Sequence, residues 1–445
     1  MNKLSLTRKA RTHLIDHILG RKMEVAGGAA APASAECPIR YSSIPDAFTR
    51  FDRFPGYEKM LVPKAASERL GLANPFFRSH DGVAGATTLI GGREFINFSN
   101  YSYLGLAGHP AVSRAAKEAI DRYGTSASAS RLVAGERPAQ RKLEEALANL
   151  YEVDDCIVFV SGHATNVSTI GCLFGPKDLV IHDSLIHNSV LQGIQLSGAA
   201  RRSFPHNDMA ALEQILAEIR AQFERVLIVT EGLYSMDGDI PDLPELIRIK
   251  QHHKAFLMVD EAHSLGVLGE TGKGVREHFG IQGKAVDIWM GTLSKTLAGC
   301  GGYIAGERAL VEHLKYAAPG FVYSVGMAPS LAAASLEALR IMQREPERVA
   351  RLRERGQQFL ELMQSLGVNT GLAQGYAVIP AIIGSSLKAA RLSNQFFDAG
   401  INVQPIIHPA VEEKAARLRF FLSAMHTDQH VRYTCEVMKK LTGLH

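Results

Sequence analysis

Cysteine is scarce in this sequence. Its five cysteines form no CxxC pair, their number is odd, and Cys156 and Cys172 lie in apolar stretches. Such spacing favours reduced thiols over a disulfide framework or a cysteine metal site. The sequence therefore predicts a cytoplasmic protein.

Long apolar runs and a strong net charge are missing as well. No apolar stretch approaches the roughly 20 residues that a helix needs to cross a bilayer. The basic N-terminus lacks the apolar core and cleavage site of a secretory signal. The formal charge of +4 is small for 445 residues. We therefore expect no transmembrane segment and no nucleic-acid or membrane-surface partner.

The composition is that of a folded protein of enzyme size. Apolar residues make up 46% and charged residues 21% of the chain, which is ordinary for a globular protein with more than one hydrophobic core. Residues 4–21 have the pattern of a short basic amphipathic helix, and the Gly/Ala/Pro/Ser-rich segment after it is typical of a linker. This helix could dock a partner or a carrier domain, or it could be a simple tail.

From Phe95 onward, short apolar runs alternate with longer amphipathic segments, which is the rhythm of a mainly parallel sheet with helices on both faces. The runs that predict its strands are DCIVFVS, DLVIHD, RVLIVTEG, AFLMVDEA and DIWMGTLS. After Ser330, alternating helices and strands predict a smaller α+β domain. The chain is thus expected to comprise an N-terminal segment (1–94), a large domain (95–335) and a C-terminal domain (336–445).

Polar residues collect at the carboxyl ends of these strands, where such sheets bind ligands. Asp260 and His263 end one strand in the motif VDEAH. A carboxylate at the end of an apolar strand needs a cationic partner. A protonated pyridine nitrogen would satisfy Asp260, and His263 could then reach a ring hydroxyl of the same ligand. By itself, the motif also fits a structural Asp–His pair.

The motif GTLSK follows the next strand. Thr292 and Ser294 offer hydroxyls to a phosphate, and Lys295 stands where its amine could form an imine. Because a free lysine has a pKa of about 10.4, such a lysine needs burial or cationic neighbours to react near neutral pH. The apolar strand before Lys295 and the glycines after it favour a pocket over the surface.

Two further strand ends complete the candidate site. In FVSGHATN, Gly162 and the N–H groups that open the following helix form a natural seat for a phosphate. In HDSLIHNS, His187 could stack on a planar cofactor. Each signal is weak alone, since glycine between strand and helix and histidine in a core are both common. Their convergence with Lys295 and Asp260 is harder to explain by chance.

Together these residues resemble the α-oxoamine synthase family of enzymes, which use pyridoxal 5′-phosphate (PLP). The resemblance runs from about Asn97 to His426. Its motifs, in the family's order, are NYSYLGL, GTSASASRLVAGERPAQRKLE, EGLYSMDGDIPDLPEL, VDEAHSLGVLGETGKG, GTLSKTLAGCGGYIAG and ARLRFFLSAMHT. It implies an α/β fold of the PLP-dependent transferase type, similar to aspartate aminotransferase, with PLP as the cofactor.

The resemblance also implies a role for each matching residue. Lys295 would bond the PLP aldehyde and remove the Cα proton of the substrate. Asp260 would pair with the pyridine nitrogen, His263 with the phenolic oxygen, and His187 would stack on the ring. The remaining contacts to PLP would come from Gly162, His163, Thr292 and Ser235 and, across a homodimer with shared active sites, from Ser324.

Arg419, with Arg417 as second candidate, would clamp the carboxylate of an amino acid, a task suited to the two parallel donors of a guanidinium. Three positions depart from the family pattern. His163 stands where many members have an aromatic residue, Val325 where relatives often have a hydroxyl residue, and Ala415 where some have threonine. The sequence also shows no obvious CoA-binding signature.

The reaction that this resemblance implies is the decarboxylative condensation of an L-amino acid with an acyl thioester. The blocks GTSASASR and LRFFLSAMHT are most similar to serine palmitoyltransferases. L-serine is therefore the first amino acid expected, followed by alanine and glycine. The acyl donor could be acyl-CoA or an acyl-carrier protein. An aminotransferase or a non-catalytic regulatory subunit is the alternative, but VDEAH and EGLYSMDGD favour a synthase and Lys295 favours a catalyst.

Overall fold

A computed structural model describes residues 44–69 and 71–443. The chain divides at residue 70 into two compact units. In the first unit, the described residues form turns at Asp46–Thr49 and Phe51–Arg53 and helix α1, Pro55–Arg69. The basic helix expected at residues 4–21 lies outside the described ranges and stays a prediction.

The second unit contains the remaining helices and all three sheets. Its α-helices are Pro110–Tyr123 (α2), Pro138–Tyr151 (α3), Gly162–Leu173 (α4), Asn188–Ser197 (α5), Met209–Ile219 (α6), Leu243–His252 (α7), Val275–His278 (α8), Arg308–Ala317 (α9), Pro319–Val322 (α10), Pro329–Arg344 (α11), Glu347–Ser365 (α12), Ser386–Asp398 (α13) and Asp428–Thr442 (α14). Its shorter turns are Arg131–Gly135, Arg220–Gln222, Gly283–Ala285 and Glu413–Ala415. None of the described helices is long and apolar enough to span a bilayer.

The strands form one large and two small sheets. They are Thr87–Ile90 (β1), Arg93–Asn97 (β2), Asp155–Phe159 (β3), Leu179–Asp183 (β4), Ala200–Phe204 (β5), Val226–Glu231 (β6), Phe256–Asp260 (β7), Ile288–Thr292 (β8), Gly302–Gly306 (β9), Val378–Ile382 (β10), Ile401–Asn402 (β11), Gln404–Ile406 (β12) and Arg417–Phe421 (β13). The large sheet has the order β3-β9-β8-β7-β6-β4-β5. All its neighbours run parallel except those of β9. The predicted fold class is confirmed.

Both faces of the large sheet are buried. In β6, Val226 and Ile228 join one apolar cluster, whereas Leu227 and Val229 join the cluster on the other face. Successive side chains of a strand point to opposite faces, so a continuous apolar run fills two cores at once. This is why the parallel strands could be read from the sequence as unbroken apolar runs.

Two strands of the large sheet were missed by the sequence analysis. Edge strand β5 has three exposed residues in its middle, so that it lacks an apolar run. Strand β9 is rich in glycine, and a Cβ on Gly302 would come within 2.5 Å of Thr165 Oγ1 in α4. Glycine is more typical of loops than of strands, so a strand that needs glycine for close packing is not recognised from the sequence.

The small sheets join distant parts of the chain. Strand β2 pairs with β1 and with β11, so residues near 95 lie beside residues near 401. The other small sheet has the order β10-β13-β12. The division of the chain into domains at residues 95 and 336 stays a prediction.

Candidate active site

Four parallel strands of the large sheet end around one cavity. Strands β4, β6, β7 and β8 end at Asp183, Glu231, Asp260 and Thr292. The predicted residues that line the cavity are Gly162, His163, His187, Asp260, His263, Thr292 and Lys295. The structure thus brings together residues from four separate motifs.

The Asp260 carboxylate is buried and held by neutral donors. Asn166 Nδ2 donates to its Oδ2 at 3.0 Å, and the Ala262 N–H donates to its Oδ1 at 3.0 Å. No cationic side chain of the described ranges forms an ion pair with Asp260. A buried carboxylate without a cation is costly, so that this site fits a positively charged group of a ligand.

His187 is linked to Asp260 through a chain of hydrogen bonds. Asn166 Nδ2 also donates to Ser189 Oγ at 2.9 Å, and Ser189 Oγ lies 2.8 Å from His187 Nδ1. His187 Nδ1 accepts from the Ser189 N–H as well, as the cap of α5. Because Nδ1 acts as an acceptor, the ring proton belongs on Nε2. Burial lowers the pKa of His187, which agrees with a neutral ring.

His263 is held by a tyrosine that the sequence analysis did not single out. Tyr103 Oη lies 2.6 Å from His263 Nδ1, and both side chains are buried. Burial lowers the pKa of His263 well below its usual range, so the ring is neutral. A hydroxyl that donates to Nδ1 leaves the proton on Nε2, where it can serve a ligand in the cavity.

Lys295 has the properties of a reactive amine. Burial lowers its pKa to about 8, against the opposing effect of the Asp260 and Glu231 carboxyl groups. A lysine with this pKa has a substantial unprotonated fraction near neutral pH. The amine can therefore act as a nucleophile or a base.

Groups suited to binding a phosphate lie beside the Lys295 amine. Helix α4 begins at Gly162 after Ser161, whose side chain caps the Ala164 N–H. A Cβ on Gly162 would come within 2.9 Å of Thr292 Oγ1, so glycine is needed for the helix to approach this hydroxyl. The helix N-terminus and the hydroxyls of Thr292 and Ser294 suit an anion with several oxygens.

Glu231 also lines the cavity, and its carboxyl group has a higher pKa than that of an exposed glutamate. Burial, and next the charge of Asp260, raise its pKa to about 8. Its Oε2 accepts from the Ser235 N–H at 3.0 Å. Ser235 itself does not line the cavity, and its carbonyl accepts from Arg419 Nη1 at 2.8 Å.

The two candidate arginines differ in their partners. Arg417 pairs with Asp237 at 2.8 Å and donates to the carbonyls of Met236 and Ala415. Arg419 forms no ion pair with any carboxylate of the described ranges, and its buried Nε has no partner there. A partly buried guanidinium without an acidic partner fits an anionic ligand better than one that is already paired.

Ser324 does not line the cavity, and in this it resembles Ser235 and the two candidate arginines. Ser324 is partly exposed and donates to the Val325 carbonyl. Its predicted contact with the cofactor of a partner subunit stays a prediction. Conversely, Asn166 and Ser189 line the cavity but were not predicted. Asn166 lies one turn after Gly162, and that spacing on a helix is the signal that could have identified it.

These residues fit PLP. The unpaired carboxylate of Asp260 suits a protonated pyridine, the neutral His263 suits a phenolic oxygen, Lys295 suits an aldehyde, and the start of α4 suits a phosphate. A second cavity of about 800 Å³ lies at the other ends of the strands, between Phe256, Ile288 and Leu310. It contains none of the predicted site residues.

Comparison with known proteins agrees with this geometry. Residues 93–438 match the family described as aminotransferase class I and II. The chain is similar to the 8-amino-7-oxononanoate synthase of Thermoanaerobacter pseudethanolicus, with 36% identity over 80% of this chain and 90% of that protein. It is also similar to the synthase of that name from Symbiobacterium thermophilum, with 40% identity over 77% of this chain and 87% of that protein.

Solved structures show the same fold. A serine palmitoyltransferase from S. paucimobilis with bound PLP–myriocin aldimine superimposes with a TM-score of 0.84 and 26% identity, covering 87% of this chain and 98% of that chain. The serine palmitoyltransferase of Sphingomonas wittichii superimposes with a TM-score of 0.83 and 28% identity, with the same coverage.

The unpaired carboxylate leads to a first prediction. Asp260→Asn removes the negative charge that the pyridine nitrogen requires, and we expect the affinity for PLP to fall by about 10- to 100-fold, the equivalent of one charge-assisted hydrogen bond. Spectroscopic titration of the apoprotein with PLP measures this affinity. Asp121→Asn, on the exposed face of α2, should bind PLP like the wild type. Equal affinity in Asp260→Asn would contradict the assignment.

Proposed function

The chain belongs to the aminotransferase class I and II family, within it to the α-oxoamine synthases, and on this premise we propose that it condenses an L-amino acid with an acyl thioester. The reaction releases CO₂ and the thiol and leaves an α-amino ketone. Its cofactor is PLP. The observation that carries the proposal is the convergence of Lys295, Asp260, His263 and His187 around one cavity.

Each residue can be given a task in this reaction. PLP supplies an electron sink for the negative charge that develops at the amino-acid Cα. Lys295 takes the Cα proton on Nζ, which its lowered pKa permits near neutral pH. Asp260 would hold the protonated pyridine nitrogen, and His263 would donate to the phenolic oxygen through Nε2. His187, whose orientation is fixed by Ser189, would cover the ring.

Arg419 is proposed to bind the carboxylate of the amino acid. Its guanidinium lies over the ring of Phe421, with 4.7 Å between the guanidinium carbon and the ring centre. The Phe421 ring in turn stacks against His263. This chain of contacts brings the unpaired cation close to the cavity. Arg417 stays the second candidate, but Asp237 already neutralises its charge.

The relatives favour alanine as the amino acid, ahead of the serine that the sequence analysis placed first. In 8-amino-7-oxononanoate, the carbon that bears the amino group also carries a methyl group. Alanine that has lost its carboxylate has this same two-carbon skeleton. Proteins named for this product are 36% and 40% identical to this chain. The serine palmitoyltransferase structures, at 26% and 28% identity, favour serine. We therefore propose alanine first, serine second and glycine third.

The acyl donor is proposed to be a thioester of CoA or of an acyl-carrier protein, and the site of action the cytoplasm, as the cysteine pattern suggests. A CoA or carrier-protein thiol leaves when the Cα carbanion attacks the thioester carbonyl. The described residues offer no feature that distinguishes the two carriers, so both belong in the assay.

The central experiment is a spectroscopic titration with amino acids. We expect the PLP-loaded protein to show the visible band of a lysine-bound PLP, and this band to change saturably with L-alanine. Adding an acyl thioester should then release CO₂. Lys295→Ala should lose the band and at least about 100-fold in kcat/KM, as expected for loss of a general base. The exposed Lys177→Ala should match the wild type.

Two outcomes would contradict the proposal. A protein that binds no PLP would exclude the whole mechanism. Conversion of the amino acid to a 2-oxo acid, without loss of CO₂ on addition of thioesters, would identify an aminotransferase. A band that responds to serine and not to alanine would keep the reaction and reverse the order of substrates.

We further propose a homodimer with shared active sites. Tyr323 and Val325 flank Ser324, and they are 87% and 50% exposed, as apolar side chains at an interface would be in a single chain. We expect sedimentation to give twice the chain mass of 48.4 kDa. Tyr323→Asp should shift the protein toward the monomer and lower its activity, because a charge at the core of an interface is costly. A fully active monomer would contradict this proposal.

A further inference from the structure

The position of Arg419 depends on the loop of residues 232–240, which follows β6. Arg419 Nη1 donates to the Ser235 carbonyl at 2.8 Å and contacts Met236 Sδ at 3.3 Å. Within the described residues, the Arg419 side chain makes no other hydrogen bond. The contacts that hold this loop in place therefore also help to hold the Arg419 guanidinium in place.

His206 lies between two buried carboxylates, one of which belongs to this loop. Its Nδ1 lies 2.9 Å and 3.1 Å from the two carboxylate oxygens of Asp183, and its Nε2 lies 2.8 Å from Asp239 Oδ2. A carboxylate accepts hydrogen bonds, so both ring nitrogens must donate. A histidine that donates from both nitrogens is an imidazolium.

The charge of this imidazolium is stable at neutral pH. Burial alone would lower the pKa of His206, but the hydrogen bonds and charges of Asp183 and Asp239 raise it to about 10. The other group that faces the ring is Tyr234, which packs edge-on against it at 4.4 Å between ring centres. His206 therefore carries its charge throughout the pH range in which the enzyme is expected to work.

The imidazolium contacts the loop at both ends. Tyr234 immediately precedes Ser235, and its N–H donates to the Asp239 carbonyl at 2.9 Å. Asn207, the neighbour of His206, donates to Asp239 Oδ2 at 2.8 Å and to the Ile240 carbonyl at 3.1 Å. The loop that contains the Ser235 carbonyl is thus held together by its own hydrogen bonds, and His206 connects it to Asp183 of β4.

We propose that His206 is a positioning residue for the amino-acid substrate. Its imidazolium bridges Asp183 and Asp239, holds the loop of residues 232–240 in place, and through the Ser235 carbonyl fixes the guanidinium of Arg419. This inference rests on the proposed function, in which Arg419 binds the carboxylate of the amino acid. The hydrogen bonds that hold the Asp260 carboxylate come from Asn166 and Ala262, which lie outside this loop.

The inference predicts a selective loss of amino-acid binding. In His206→Gln, the amide can donate to one aspartate but carries no charge, so the loop loses its bridge. We expect the PLP-loaded variant to keep its visible band, while the Kd for L-alanine or L-serine, from the spectral titration, rises about 10-fold or more, the equivalent of one hydrogen bond. The KM for the thioester should stay within about twofold of wild type.

A matched control separates positioning from general destabilisation. Asp155, at the start of β3, forms another partly buried ion cluster with Arg141 and Lys315 of neighbouring helices. Asp155→Asn weakens this cluster and should lower the Tm without changing the Kd for the amino acid. If His206→Gln does not fold, Asp239→Asn undergoes the same measurement, and the same rise in Kd is expected. Wild-type Kd in the folded variant, or a parallel loss of PLP and amino-acid binding, would overturn the inference. A wild-type protein that binds PLP but none of the amino acids would overturn the proposed function and this inference with it.

The raised pKa of His206 also predicts a pH dependence of stability. An unfolded histidine has a pKa of about 6.5, and that of His206 in the fold is about 10. The stabilisation is therefore complete below about pH 6.5 and is lost as the pH rises through 10. We expect the Tm difference between the wild type and His206→Gln to be largest near pH 6.5 and to shrink toward pH 10.5. A difference that stays constant over this range would contradict an imidazolium at this position.

Discussion

The buried carboxylate of Asp260 is the constraint on which the rest of the active site depends. It sits at the end of a fully buried parallel strand, and the groups that hold it in the protein are neutral amides. His187 and His263 are neutral as well, because burial lowers their pKa values. The cation that this carboxylate needs is therefore left to the ligand, and a protonated pyridine ring would supply it.

The hydrogen bonds around Asp260 also connect groups with different tasks. Asn166 donates both to Asp260 and to Ser189, and Ser189 in turn fixes the tautomer of His187. The aspartate that would hold the pyridine nitrogen and the histidine that would cover the ring thus share one network. This network fixes the orientation of the Asp260 carboxylate and of the His187 ring, which suits a site that must hold a planar cofactor in one orientation.

The residues proposed to bind the cofactor and the residue proposed to bind the substrate come from different parts of the fold. The ends of the parallel strands and the start of α4 surround the place of PLP, whereas Arg419 comes from the small sheet and is held by the loop after β6. This separation allows relatives to share a PLP site and to differ in the amino acid. It agrees with the mixed set of similar proteins, some named for a product built on alanine and others for serine.

The sequence by itself determined the fold class and, through the family resemblance, the cofactor. It also indicated which residues meet at the cavity, because strand ends in a parallel sheet converge wherever the rest of the chain goes. Lys295, Asp260, His263, His187 and Gly162 could be named for this reason. The partners of these residues could not. Tyr103 lies 160 residues from His263 in the sequence, and His206 meets Asp239 across 33 residues. Nothing local in the sequence marks such pairs, since their geometry arises when separate loops pack together. The tertiary structure alone decided which arginine is left unpaired and which histidine carries a charge, because both depend on the carboxylates that folding brings near.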